Sequence, residues 1–206
     1  MKIHVYPGMG ATADMYTGPW KEFNFIFHNW PKYTGELTIQ SLAKKVIKEH
    51  NIQEGDILIG SSLGGIIASE IANQIKIKHL ILLGSAKEQS EVNSFLKLLH
   101  PIVDYTPIAF IKALTGKIPI DLSVMFSKSD PDFIKAMCKA IFKWEGLKVE
   151  TEVTRIHGVK DLVILKPKNN DYDINGGHLI AMTHPKECLE AIQKSLEQTK
   201  RTNGST

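Results

Sequence analysis

The sequence predicts an α/β fold, a mostly parallel sheet of about six strands flanked by helices, with a small helical cap. Two observations carry that expectation. Up to Gly84, apolar segments of strand length alternate with segments of helical period. The strand segments DILIG and KHLILLG are also apolar nearly throughout, as strands are when helices cover both faces of a parallel sheet. The length of 206 residues supports one domain with a sizeable core.

The elements follow in order. KIHVY opens the chain as a strand and is ended by Pro7, Gly8 and Gly10. FNFIFHNW, Phe23 to Trp30, is expected as a second strand stopping at Pro31. Thr38 is placed to cap a helix over Ile39 to His50, where Ile39, Leu42, Ala43, Val46 and Ile47 form one apolar stripe. The strand Asp56 to Gly60 precedes a helix over 63–75, with Leu63, Ile67, Ile71 and Ile75 four apart. The next strand is Lys78 to Gly84.

Regularity breaks after Ser85. The expectation is a single domain over 1–198, with 87–145 forming a helical cap insertion and a flanking helix. Asp130 or Ser129 would cap a helix running to Trp144, with Pro131 in its first turn. The apolar residues from Phe95 to Leu114 would either line a pocket or join cap helices to the core. Val153 to Gly158 returns to strand pattern. LVILKP is apolar but short, and YDINGG suits a last edge strand. His184 to Gln198 is the closing helix, with Cys188, Ala191, Ile192 and Leu196 inward. Residues 199–206 are polar and expected to form a flexible tail.

Composition narrows the function classes. Lys plus Arg number 25 against 22 Asp plus Glu, and no basic run stands beside an aromatic set, so a nucleic-acid partner has little support. Two cysteines do not make a disulfide framework. Apolar runs of four or five residues fall far short of the roughly 18 that a membrane span needs. MKIHVYPGMG does not read as a signal peptide, so a cytoplasmic location is the default expectation. There is no HExxH, CxxC or clustered ligand spacing for a metal, no GxGxxG fingerprint and no P-loop, so no cofactor is expected.

The chemistry centres on GSSLG, Gly60 to Gly64, which matches G-x-S-x-G between an apolar strand and an apolar helix. A serine at so sharp a turn needs small neighbours on both sides, and that places Ser62 at the apex. Its hydroxyl then projects away from the sheet. The Leu63 N–H lies at the helix N-terminus, where unpaired donors favour developing negative charge. A tight turn with glycines needed only for helix packing explains the same residues. A base is needed, and of eight histidines His178, in GGHL, is the candidate. His157 suits a supporting position and His184 a helix cap. Asp161 lies just past a strand, where sites form in open α/β sheets; Asp171, Asp173 and Asp130 compete with it. In PGMG, after the first strand, the Met9 N–H is the best second donor for an oxyanion.

These segments resemble the α/β-hydrolase superfamily. GSSLGG matches its Gly-x-Ser-x-Gly-Gly elbow. HGVKD resembles its acid-bearing segment, and GGHL the loop that bears its histidine. PGMG occupies the place of the usual His-Gly-x-Gly loop, with Pro7 where the histidine stands. The order Ser62, Asp161, His178 is that family's order. The resemblance covers residues 2–196 apart from the details of 87–145, and it starts at the oxyanion-loop strand, so the family's first hairpin strands are not expected here.

The resemblance implies a serine hydrolase acting on a small-molecule carboxylic ester or related acyl compound. Ser62, Asp161 and His178 would be catalytic, and the Met9 and Leu63 N–H groups would form the oxyanion hole. Thioesterase, lactonase and carbon–carbon bond hydrolase activities use the same framework. A binding or scaffold protein on the same fold is the rival from another class. An exposed apolar cap would permit a homodimer.

Overall fold

The computed structural model describes residues 1–92 and 130–203. Much of the expected cap, including the apolar residues from Phe95 to Leu114, lies outside the described residues.

Six strands form one sheet: β1 (Ile3–Tyr6), β2 (Ile26–Phe27), β3 (Ile57–Ser61), β4 (His79–Leu83), β5 (Val153–Gly158) and β6 (Tyr172–Ile174). Their order is β2-β1-β3-β4-β5-β6, and every pairing is parallel. The described α-helices are α1 (Ile39–Glu49), α2 (Leu63–Gln74), α3 (Pro131–Ile141), α4 (Ile180–Thr183) and α5 (Pro185–Asn203). The chain lays β2 to one side of β1 and β3 to the other. The order therefore reverses at β1, the place where open α/β sheets gather ligand sites at the carboxyl ends of their strands.

The alternation of side chains along each strand builds two cores. Tyr6, Leu58, Leu80 and Leu82 face α1, α2 and α3. Val5, Ile59, Ile81 and Leu83 face Tyr16, Trp20 and the inner side of α5. Burial on both faces explains why β3 and β4 are apolar throughout. The Thr38 cap is as expected: its hydroxyl accepts from Ser41 N, and Ser41 returns a bond to the Thr38 N–H. Asp130 caps α3 by accepting from Asp132 N and Phe133 N.

Three expectations change: α3 ends at Ile141, short of Trp144, where a lysine and a turn close it, the second strand is shorter, and the closing helix is longer. The second strand shrinks to Ile26–Phe27. It is an edge strand with one neighbour, and Phe23, Phe25 and Phe27 are held by contacts between their rings instead of by a longer ladder. LVILKP forms no strand, because Asp161 turns the chain there by accepting from Val163 N and Ile164 N; a lone antiparallel bridge joins Ile164 to Val92. The closing helix continues to Asn203, and Thr199 is buried against His79.

Candidate functional site

Ser62 sits between β3 and α2 with φ 52° and ψ −120°, a conformation that L side chains rarely adopt. Strain of this kind persists only where the surroundings over-determine it. The glycines around it do so. A Cβ on Gly60 would lie 2.3 Å from the Gly64 carbonyl carbon, and one on Gly64 would lie 2.6 Å from the carbonyl oxygens of Tyr6 and Pro7. A Cβ on Gly65 would meet the Ser85 hydroxyl at 2.3 Å. That hydroxyl donates to the Ser62 carbonyl at 2.7 Å, so Ser85 also holds the turn from the end of β4.

Asp161 follows β5, and His178 follows β6. The structure brings both to Ser62. His178 Nε2 is 2.8 Å from Ser62 Oγ, and His178 Nδ1 is 2.9 Å from Asp161 Oδ2. The Asp161 carboxylate is fully buried, while the His178 side chain keeps 9% of its surface exposed. Gly158 permits this approach: a Cβ there would fall 2.2 Å from the Gly177 carbonyl oxygen and push the histidine loop away.

Burial opposes ionisation of Asp161. The hydrogen bond and charge of His178, with the N–H groups of Val163 and Ile164 on Oδ1, outweigh it and hold the carboxyl below its ordinary value. His157 supports the same carboxylate from β5. Its Nε2 donates to the Ile164 carbonyl at 2.9 Å and lies 3.4 Å from Asp161 Oδ2. Burial first, and more weakly the Arg155 charge, lower the His157 pKa against the pull of the Ile164 carbonyl and Asp161. Asp171 and Asp173 are drawn elsewhere, Asp171 to the Arg155 N–H and Asp173 to Lys166 and Asn170.

The PGMG loop abuts the elbow. A Cβ on Gly8 would lie 3.6 Å from Ser62 Cβ. Ala11 N donates to the Gly8 carbonyl, closing a turn in which Gly10 has φ 69°. Among the described residues, neither the Met9 N–H nor the Leu63 N–H donates to a protein acceptor. Both cysteines are free and buried, and burial pushes each thiol up to about 12, so neither competes as a nucleophile. The arrangement can move a proton from a hydroxyl to an imidazole while a buried carboxylate steadies the resulting charge.

The sequence missed two parts of this site. Ser85 carries no motif, being simply the serine after a strand. Trp30 donates from its indole Nε1 to the Gly8 carbonyl at 3.0 Å, across 22 residues that no local spacing links.

No helix among the described residues is long and apolar enough to cross a membrane. No protein-family model matches the sequence, and no curated protein is similar to it. Solved structures are. An esterase from Exiguobacterium antarcticum superposes with a TM-score of 0.73 at 16% identity, covering 97% of this chain and 92% of that one. An enol-lactonase from Burkholderia xenovorans gives 0.70 at 15%, covering 95% and 90%. The thioesterase of prodiginine biosynthesis from Streptomyces coelicolor gives 0.68 at 15%, covering 96% and 90%. With this strand order and these neighbours, the chain has the α/β-hydrolase fold.

Proposed function

We propose that the protein is a serine hydrolase that cleaves a small carboxylic ester or a related acyl compound through an acyl-enzyme. The observation that carries this reading is the unbroken line of hydrogen bonds from the strained Ser62 through His178 to Asp161. His178 Nε2 takes the Ser62 proton as Oγ attacks the acyl carbon. Asp161 keeps the other ring proton on Nδ1 and stabilises the imidazolium. The Met9 and Leu63 N–H groups receive the oxyanion, and the dipole of α2 adds to them. His178 then returns the proton to the leaving group. Water, deprotonated by the same imidazole, attacks the acyl carbon and releases the acid and Ser62.

Esterase, lactonase and thioesterase neighbours share this acyl chemistry and differ in what the leaving group is. The reading therefore fixes the reaction class and not the alcohol, thiol or lactone.

The test is labelling of the purified protein by an alkyl fluorophosphonate, read by intact mass and peptide mapping. One label on Ser62 is expected, absent in Ser62→Ala and slowed by about 10⁴-fold or more in His178→Ala. A folded wild-type protein that takes no label, or takes it on another serine, would overturn the assignment in favour of a binding protein on this fold.

A further inference from the structure

The oxyanion loop is tied down by a residue outside it. The Gly8–Met9 peptide is planar and trans, so its C=O and N–H point in opposite directions. Whatever holds the Gly8 oxygen therefore aims the Met9 hydrogen. Two donors hold that oxygen: Ala11 N at 3.2 Å and Trp30 Nε1 at 3.0 Å.

They do different work. The Ala11 bond closes the turn but lies inside the loop, so it travels with the loop and cannot fix it against Ser62. Trp30 belongs to the segment after β2, which is anchored to β1 where His28 N donates to the Val5 carbonyl at 3.0 Å. Its ring packs against Tyr6, with centroids 6.2 Å apart, and against Phe133 of α3, at 5.7 Å. The indole is thus a fixed post, and its N–H is the bond joining the loop carbonyl to that post.

We propose that Trp30 is a positioning residue of the oxyanion site. Its indole N–H holds the Gly8 carbonyl and so directs the Met9 N–H toward the acyl oxygen on Ser62. The inference rests on the serine hydrolase reading above. Donation to the Gly8 oxygen also polarises the peptide and strengthens the Met9 N–H as a donor. The effect falls where negative charge develops, so it acts on the transition state and not on substrate binding. A tryptophan that only satisfied its own half-buried N–H would leave that difference untouched.

The experiment compares wild type with Trp30→Phe, which keeps an aromatic ring and removes the donor. A second variant carries benzothienylalanine at position 30, which keeps the bicyclic shape with sulfur in place of N–H. Hydrolysis of p-nitrophenyl acetate is measured beside binding of an alkyl trifluoromethyl ketone, which forms a tetrahedral oxyanion adduct on serine. In both variants kcat is expected to fall about tenfold with KM near wild type, since direct removal of an oxyanion donor costs about 10²–10³ and this removal is indirect. The ketone should weaken by the same factor, while a non-hydrolysable ether analogue of the ester binds unchanged.

If the benzothienylalanine protein keeps wild-type kcat and ketone affinity, the proposal is overturned. It is overturned equally if KM and ether binding shift as much as kcat. Fluorophosphonate labelling of wild-type Ser62 separates the two levels. Normal labelling with an indifferent position 30 defeats only the Trp30 assignment, and no labelling of Ser62 defeats both.

Discussion

The molecule contains two lines of carboxylate and imidazole, and they differ in what stands at the far end. At the carboxyl ends of the strands, Asp161, His178 and Ser62 run in series. Beside β1, Asp56 Oδ2 lies 3.2 Å from His4 Nε2, and His4 Nδ1 lies 2.8 Å from His28 Nε2. The first line ends on a hydroxyl held in a strained turn, with the PGMG loop packed against that turn at Gly8. The second ends on an imidazole stacked on the His50 ring at 4.2 Å, with Tyr6 stacked at 5.0 Å. Among the described residues, the second line reaches no serine or threonine hydroxyl and no residue in a strained turn. An Asp–His pair is thus not a catalytic signature by itself. Its third partner and its place on the sheet decide what it does.

Breaking the first line should have the largest effect. Asp161→Asn is expected to lower kcat for p-nitrophenyl acetate by about 10⁴-fold, because the amide favours the wrong imidazole tautomer. The Ser62 label should slow in parallel. A loss of tenfold or less would mean that His157 or a main-chain group orients His178 instead.

The matching change in the second line sharpens the contrast. Asp56 accepts from Lys2 N at 2.7 Å and Gln53 N at 3.0 Å as well as facing His4. Asp56→Asn turns one of those acceptors into a donor. It should cost about 1–3 kcal/mol in urea unfolding and leave kcat within about twofold of wild type. A collapse of kcat at unchanged KM would show that the two lines are not separate in function.

The smallest effect concerns pH. Burial first, then the neighbouring His50 and His4, lower His28 from 6.5 to about 3, and burial lowers His4 and His50 as well. The unfolded chain binds protons at these histidines from about pH 6.5 downward, while the folded stack resists them until far lower. Their contribution to stability is therefore fully present above pH 6.5 and is lost as pH falls toward 3. Urea midpoints should decline from pH 7.5 to 5.5, and His28→Phe should flatten that decline. An equal slope in the variant would assign the acid sensitivity to carboxylates.

How much of this was legible in the sequence depends on whether the signal was local. GSSLG carries its meaning within five residues, because the glycines are demanded by atoms of the same turn and of the β1 end beside it. The alternation through β3, α2 and β4 was equally plain, since each segment buries its own side chains. The short β2 was not, because a run of aromatic residues has strand composition whether rings or a ladder hold it. The end of α5 was missed for a different reason. Its buried side there is polar: Ser195 and Thr199 stand four apart and bond to His79, so a search for apolar spacing passes over them. Ser85 and Trp30 act only through contacts with distant chain, which no spacing rule encodes.

The position of His178 after the last strand has a consequence for biosynthesis. Ser62 and its hydrogen-bond partner His178 are separated by 116 residues, and His178 is carried on the loop after the three-residue edge strand β6. A ribosome-bound chain that has completed β1 to β4 already owns the serine and its glycine turn, but it has no proton acceptor for the hydroxyl. On the serine hydrolase reading, Ser62 becomes a nucleophile only once the loop after β6 is in place, so a chain ending before Gly176 is expected to be chemically silent. Parallel sheets close slowly, because their pairings join distant parts of the chain. On the same reading, the onset of serine reactivity during refolding would report that the β5–β6 end of the sheet has closed.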